Sequence, residues 1–200
     1  MAGLRVLVTG RRWLVAGWFS LGGCALAADS GAPPATAPAS PAPGQVIRDD
    51  AIGFTVTVPG DWQVKQPPHG RYPVAYGPSS NGILSNLDVE TERFAGPLGD
   101  YVDANLAMVR ENFDATKVLS RQDFAGAAGV QGVKIVMSDI QFNTSLLQVF
   151  YFFPAANHAF VILTGTEAQG APDATGSAFD AMARTFALTA PSSAAPPAHL

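Results

Sequence analysis

The chain has 200 residues, of which 16 are Asp or Glu and 12 are Lys or Arg, giving a formal net charge of −4 at pH 7. Its basic residues are scattered, which argues against a nucleic-acid partner and against an anionic membrane surface, because binding to either depends on clustered Lys and Arg. A single cysteine excludes an internal disulfide, so the folded part must be stabilised by its core.

The first 27 residues have the pattern of a secretory signal peptide. Three arginines precede an apolar run that begins at Trp13, and the run ends in an Ala-x-Ala pattern at Ala27. The run is short and glycine-rich, whereas a membrane span needs about 20 apolar residues. We therefore predict a protein exported to a bacterial periplasm, where ATP-driven and nicotinamide chemistry are excluded.

Two ways of processing this signal stay open. Cleavage after Ala27 gives a soluble protein that begins at Ala28. Residues 21–24 also resemble the lipobox of bacterial lipoproteins, in which Cys24 becomes a lipidated first residue and anchors the protein to a membrane.

Composition divides the rest of the chain into three parts. Residues 28–45 are rich in Pro and Ala, which predicts a disordered linker. Residues 46–190 have the composition of an ordinary globular block and are long enough for a single domain with one core. The last ten residues, 191–200, are again rich in Pro and Ala and predict a disordered tail.

Alternating apolar side chains predict a series of short strands within the domain. Pro73 interrupts one of them, which favours a position at a sheet edge, and Pro78 begins a cluster of turn residues. The predicted strands cover residues 53–59, 62–64, 72–76, 83–94, 117–124, 132–139, 141–153 and 159–164.

Two segments have the spacing of amphipathic helices. The first starts after Pro97 and carries an apolar stripe as far as Phe113. The second follows Pro172, with Asp173 as the expected N-cap, and ends near Phe186. Short turns between consecutive strands favour antiparallel pairing, so we predict an α+β fold: a mostly antiparallel β-sheet covered by two amphipathic helices.

A motif at the start of the domain carries a family resemblance. Residues 54–62 read F-x-V-x-x-P-x-x-W, from Phe54 to Trp62. This segment resembles the opening of the PsbP-like families, which include thylakoid PsbP, the Ran-binding Mog proteins and the DcrB-type periplasmic lipoproteins. The resemblance covers about residues 47–188 and implies a PsbP/Mog-like sandwich whose members bind or assist assembly rather than catalyse. It implies no set of functional residues.

The residues themselves predict no enzyme, cofactor or metal site. The chain has no Gly-x-Ser-x-Gly element, and the spacing of its three histidines supports no nucleophilic triad. Asp88, Glu90 and Glu92 share one face of a strand and could bind a hard cation. The interpretation we favour is a solvated sheet face, because alternate residues of a strand lie about 7 Å apart.

Four consecutive aromatic residues, Phe150 to Phe153, must point alternately to the two faces of their strand. We expect one pair in the core and the other beneath a helix; the alternative is a hydrophobic groove for a ligand. The loop residues His69, Arg71 and Tyr72 are the candidate binding groups.

The sequence therefore predicts a non-enzymatic binding or assembly accessory of the cell envelope, whose partner is another envelope protein. A periplasmic carrier of a small apolar ligand or lipid, with the aromatic strand as the pocket wall, is the alternative. The sequence leaves the oligomeric state open.

Overall fold

A computed structural model describes residues 44–113, 115–141 and 143–190 of the chain. The predicted signal peptide, Cys24, the linker up to residue 43 and the tail at 191–200 lie outside the described residues. Neither helix of the described part has the length and apolar character required to cross a membrane.

Ten strands and two helices follow one another along the described part, together with a 3₁₀ turn at Ala127–Gly129. In chain order they are β1 (Gln45–Asp49), β2 (Phe54–Val58), β3 (Gln63–Lys65), β4 (Val74–Ser80), β5 (Ile83–Arg93), α1 (Leu98–Asn112), β6 (Lys117–Ala125), β7 (Gln131–Gln141), β8 (Thr144–Pro154), β9 (Ala159–Ala168), α2 (Asp173–Arg184) and β10 (Ala187–Leu188).

Seven strands form one large sheet in the order β3-β4-β5-β9-β8-β7-β6, and every neighbouring pair is antiparallel. The predicted α+β class and the mostly antiparallel sheet with two helices are confirmed. The hairpin of β8 and β9 occupies the centre of the sheet, and all ten residues of β9 are buried.

A second, three-stranded sheet of β1, β2 and β10 was missed by the sequence analysis, which predicted a single layer. Strand β2 alternates as predicted, with Phe54, Val56 and Val58 buried. These side chains belong to one core cluster with α2 and with one face of the large sheet. The apolar face of β2 is therefore covered by the large sheet and not by helices alone.

The aromatic run of β8 packs on both faces of the large sheet, as predicted, and all four rings are buried. Tyr151 and Phe153 face the core cluster that contains α2, and Phe153 stacks on Phe186 at a centroid distance of 4.2 Å. On the opposite face, Phe152 meets Tyr101 of α1 edge to face at 6.0 Å. The hairpin is thus enclosed between two layers.

Three details of the predicted elements differ in the structure. The strand containing Tyr76 does not lie at an edge, because β4 pairs with β3 on one side and with β5 on the other. Of the predicted turn cluster, Pro78 to Ser80 belong to β4, which has a register shift between Tyr76 and Ser79, whereas Asn81 and Gly82 form the turn as predicted. Asp173 is the first helical residue of α2 rather than its N-cap, which is Pro172.

Gly165 of β9 tests how tightly α2 packs on the large sheet. A Cβ atom at this position would lie 2.7 Å from the ring of Phe179. We expect Gly165→Ala to lower the free energy of unfolding by about 1–3 kcal/mol, because overpacking displaces the helix. The measurement is urea denaturation followed by circular dichroism.

Gly99→Ala is the matched control, because a Cβ atom at this position of α1 meets nothing within 4 Å. Alanine is the better helix former, so stability should be unchanged or raised, by up to about 1 kcal/mol. Equal effects of the two substitutions would contradict the packing of Phe179 on Gly165.

Candidate functional site

The loop between β3 and β4 is exposed but internally hydrogen-bonded. The N–H of Gly70 donates to the carbonyl oxygen of Pro67 at 3.2 Å, and the Gln66 side-chain amide donates to the carbonyl oxygen of Gly70 at 2.7 Å. His69 lies exposed within this turn. The loop therefore presents its polar groups from a closed turn.

Tyr72 is a buried anchor at the base of this loop. Its hydroxyl donates to Asp49 Oδ2 at 2.7 Å and lies 3.2 Å from Thr91 Oγ1. Its ring packs against Phe54 at a centroid distance of 5.6 Å. Burial, together with the bond to Asp49, raises the pKa of Tyr72 to about 12, although the bond to Thr91 acts in the opposite direction. Tyr72 thus holds the loop on the core.

Arg71 joins the same carboxylate from the solvent side. Its Nη2 donates to Asp49 Oδ2 at 2.8 Å, and its guanidinium lies 5.2 Å from the centroid of the Tyr72 ring. The Arg71 side chain is 59% exposed, whereas that of Asp49 is 11% exposed. A guanidinium has five N–H donors, so its outer edge can meet a carboxylate or a carbonyl of a partner.

Asp49 is the residue on which the loop depends. Its Oδ1 accepts the N–H groups of Ala51 and Ile52 at 2.8 and 2.9 Å. Burial by itself would raise the pKa of Asp49, but the bonds from Tyr72, Ile52, Arg71 and Ala51 together lower it. The carboxylate therefore stays ionised at neutral pH and fixes the positions of Arg71 and Tyr72.

Of the three candidate binding residues, the structure brings Arg71 and Tyr72 together on Asp49 and leaves His69 apart at the turn. Their joint role as a binding loop stays a prediction. Sequence reasoning missed Asp49, which lies 23 residues before Tyr72. The local signal was its position at the end of a short apolar segment, where Asp commonly bonds backbone N–H groups that follow it. This arrangement places an exposed guanidinium at a fixed position, where it can donate hydrogen bonds to a partner.

The acidic face of strand β5 is not solvated along its whole length, contrary to the interpretation that we favoured. Asp88 is half-buried, and burial raises its pKa to about 6. Glu92 is exposed but accepts a hydrogen bond from the Tyr101 hydroxyl of α1 at 2.6 Å. The solvated-face interpretation is therefore wrong for Asp88. Among the described residues, no three His, Cys, Asp or Glu side chains are grouped so that they could hold a metal ion.

A cleft of about 440 Å³ lies between the turn that follows β2 and the second half of α2. Thr57, Pro59 and Asp61 line one side, and Met182 and Thr185 line the other. A hydrogen bond from the N–H of Thr57 to Thr185 Oγ1, at 2.7 Å, joins the two sides. The predicted aromatic pocket wall does not take part, because the rings of Phe150 to Phe153 are buried elsewhere in the core.

Comparison with known proteins gives matches in structure alone, since no family model and no curated protein sequence matches the chain. CyanoP, the PsbP of the cyanobacterium Synechocystis, superposes with a TM-score of 0.53 and 15% identity over 78% of this chain and 98% of that chain. LpqN of Mycobacterium tuberculosis gives 0.53 and 12% over 75% of this chain and 90% of that chain.

PA94 of Pseudomonas aeruginosa, a protein of unknown function, gives a TM-score of 0.51 and 16% identity, over 72% of this chain and 95% of that chain. At such identities the similarity establishes the fold. The resemblance that the segment from Phe54 to Trp62 predicted is therefore confirmed: this chain has the fold of the PsbP-like proteins.

Asp49→Asn tests the anchoring of the loop. The amide keeps one oxygen for the backbone N–H groups but loses the charge that binds Arg71, so we expect a loss of about 2 kcal/mol in unfolding free energy. Because the folded pKa of Asp49 is lowered, its contribution is complete above the unfolded value of about 4 and is lost as the pH falls through the folded value. Urea titrations at several pH values should show the two proteins converging below about pH 4.

Asp50→Asn is the control, because Asp50 pairs only with Arg48 at the surface among the described residues. Its effect should stay within about 0.5 kcal/mol. A loss as large as that of Asp49→Asn, or a gap between wild type and Asp49→Asn that does not change with pH, would refute the anchoring role.

Proposed function

We propose, from the fold that this chain shares with CyanoP and LpqN, that it is a non-enzymatic accessory protein of a bacterial cell envelope that binds another envelope protein. LpqN is described as involved in cell envelope biogenesis. The observation that carries the proposal is the exposed loop with Arg71, anchored through Asp49 on this fold.

The loop supports a binding role because its conformation is set before a partner arrives. Its base is held by Tyr72 on Asp49, so little conformational freedom is lost when a partner orders it. Arginine is enriched among the residues that dominate binding energy. The proposed contact is between Arg71 and an acidic or carbonyl-rich surface of the partner, and His69 is exposed in the same loop.

Export is part of the same proposal. The arginines and the apolar run before Ala27 support a periplasmic location, with the protein either soluble or held at a membrane through Cys24. Intact-mass measurement of the protein extracted from membranes distinguishes a diacylated Cys24 from a free Ala28 start.

Site-specific photocrosslinking in the native cell tests the binding role. A photoreactive residue at position 69 should give a discrete adduct with one envelope protein. Arg71→Gln should reduce the yield at least about threefold, because an interfacial charge contact is worth roughly 1 kcal/mol or more. Circular dichroism establishes that the variant is folded.

Glu111, exposed near the end of α1, provides the control position. Adducts of the same masses from positions 69 and 111 would indicate random collision and contradict the proposal. So would an adduct from position 69 that Arg71→Gln leaves unchanged.

The alternative function, a carrier of a small apolar ligand, is favoured by one observation, the cleft beside α2. Its volume of about 440 Å³ lies within the range of roughly 300–1,000 Å³ typical of ligand pockets. Native mass spectrometry of the purified protein distinguishes the two: a co-purifying apolar ligand supports the carrier, and a mass equal to the bare chain opposes it.

A further inference from the structure

A band of polar side chains crosses the face of the large sheet on which Tyr101 of α1 packs. The strand register places four of them side by side in one row across β4, β5, β9 and β8, and a further pair directly alongside. The row consists of Tyr76, Asn86, Thr166 and Gln148, and the adjoining pair of Asp88 and Thr164.

We call the four side chains of β5 and β9 in this band, Asn86, Asp88, Thr164 and Thr166, the polar basin. They stand in two cross-strand pairs, Asn86 opposite Thr166 and Asp88 opposite Thr164. Directly opposite side chains lie about 5 Å apart, and successive pairs on one face about 7 Å apart. Groups reaching from these four positions can converge on one small ligand group.

The polar basin has a buried floor and an accessible rim. Thr164 and Thr166 are 7% and 4% exposed, whereas Asn86 and Asp88 are half-buried. The strip beyond it on the same face is apolar and buried, with Phe150 next to Thr164. Buried polar groups cost free energy unless they are hydrogen-bonded, so each atom of the basin should have a partner.

Several of these atoms have none. Among the described residues, Thr166 Oγ1 and Asn86 Oδ1 are buried without a hydrogen-bond partner. The amide nitrogen of Asn86 donates to the carbonyl oxygen of Leu84 at 3.2 Å, whereas the side-chain oxygen is an acceptor without a donor. The Asp88 carboxylate makes none of the described hydrogen bonds or ion pairs, although burial removes much of its hydration.

We propose that the polar basin binds a primary ammonium group, through the Asp88 carboxylate, Asn86 Oδ1 and Thr166 Oγ1. An ammonium group carries three N–H donors and no acceptor, and the basin offers three acceptors on two adjacent strands. A guanidinium has five N–H donors, which is two more than the acceptors that the basin offers. Glu90 and Glu92, on the same face, add negative potential that favours a cation.

One lysine of the protein itself approaches this site. Lys65 Nζ of β3 lies 5.8 Å from the centroid of the Tyr76 ring, next to Asn86 in the row. It forms no described bond with Asp88. Lys65 therefore does not occupy the basin in this structure, and the ammonium group that we propose belongs to an external ligand, either a free amine or a lysine side chain of a peptide.

The ionisation of Asp88 gives the site a pH dependence. Burial raises its pKa to about 6, and the ammonium binds the ionised form. At pH 5 roughly nine-tenths of the carboxyl groups are protonated in the free protein, so affinity should fall about tenfold relative to pH 7.5. The lysine and amine ligands stay charged over this range, so the change reports on the protein.

The experiment uses isothermal titration of the purified exported protein with two probes. These are n-butylammonium chloride, which stands for a free amine, and Nα-acetyl-lysine methylamide, which stands for a lysine in a peptide; the norleucine analogue is the neutral control. We expect one ammonium probe or both to bind and the norleucine analogue not to bind. Binding of the lysine probe alone identifies a peptide source.

Three variants distinguish binding at the polar basin from attraction by the net charge of the protein. Asp88→Asn should weaken binding at least tenfold and remove its pH dependence. Thr166→Val should weaken binding about threefold or more while leaving the melting temperature of the free protein equal or higher, because it removes an unpartnered buried hydroxyl. Asp123 is an exposed carboxylate on the same face but on strand β6. Asp123→Asn should change neither the affinity for the probe nor its pH dependence.

The proposal is overturned if neither probe binds, or if the norleucine analogue binds equally well. Binding that Thr166→Val leaves intact also overturns it, and this variant decides the matter even if Asp88→Asn does not fold. Loss of binding in Asp123→Asn as severe as in Asp88→Asn would show that net charge, and not the polar basin, attracts the probe.

Discussion

The central hairpin of the large sheet is buried on both faces, and this constraint accounts for the rest of the architecture. Every residue of β9 is buried, and the rings of β8 point alternately to the two sides. An antiparallel sheet usually leaves one face to water, but this hairpin needs a layer on each side. Helix α1 supplies one of them, while α2 and the small sheet together supply the other.

The parts of the fold that sequence predicted are those whose signal is local. The alternation in β2 and in the aromatic run from Phe150 is visible from adjacent residues of the sequence alone. Strand β10 was missed because it has only two residues and its partner is distant: Leu188 pairs with Phe54 from the far end of the domain. Strand β1 was missed because it has no alternating apolar pattern, since only Ile47 of its five residues is buried. Pro73 suggested an edge, yet it lies before β4 rather than within it.

The same limit applies to the candidate sites. The loop with Arg71 could be located from its turn residues, but the dependence on Asp49 required the pairing of distant segments. The acidic alternation of β5 was visible, whereas the burial of Asp88 depends on what packs over it. Whether a buried polar group has a hydrogen-bond partner can also be determined only from the three-dimensional structure. Asp180 accepts bonds from Lys134 and Tyr151 at 2.6 and 2.5 Å and serves the fold, whereas Thr166 has no such partner.

Native-state hydrogen exchange of the backbone amides tests most directly whether the doubly covered hairpin holds the domain together. The account predicts that amides of β9 exchange only through global unfolding, with a free energy and a denaturant dependence equal to those of the whole domain. Amides of the outer strands β3 and β6 should exchange through local opening at lower free energy. The account is contradicted if β9 exchanges through local opening, at a free energy below that of β6.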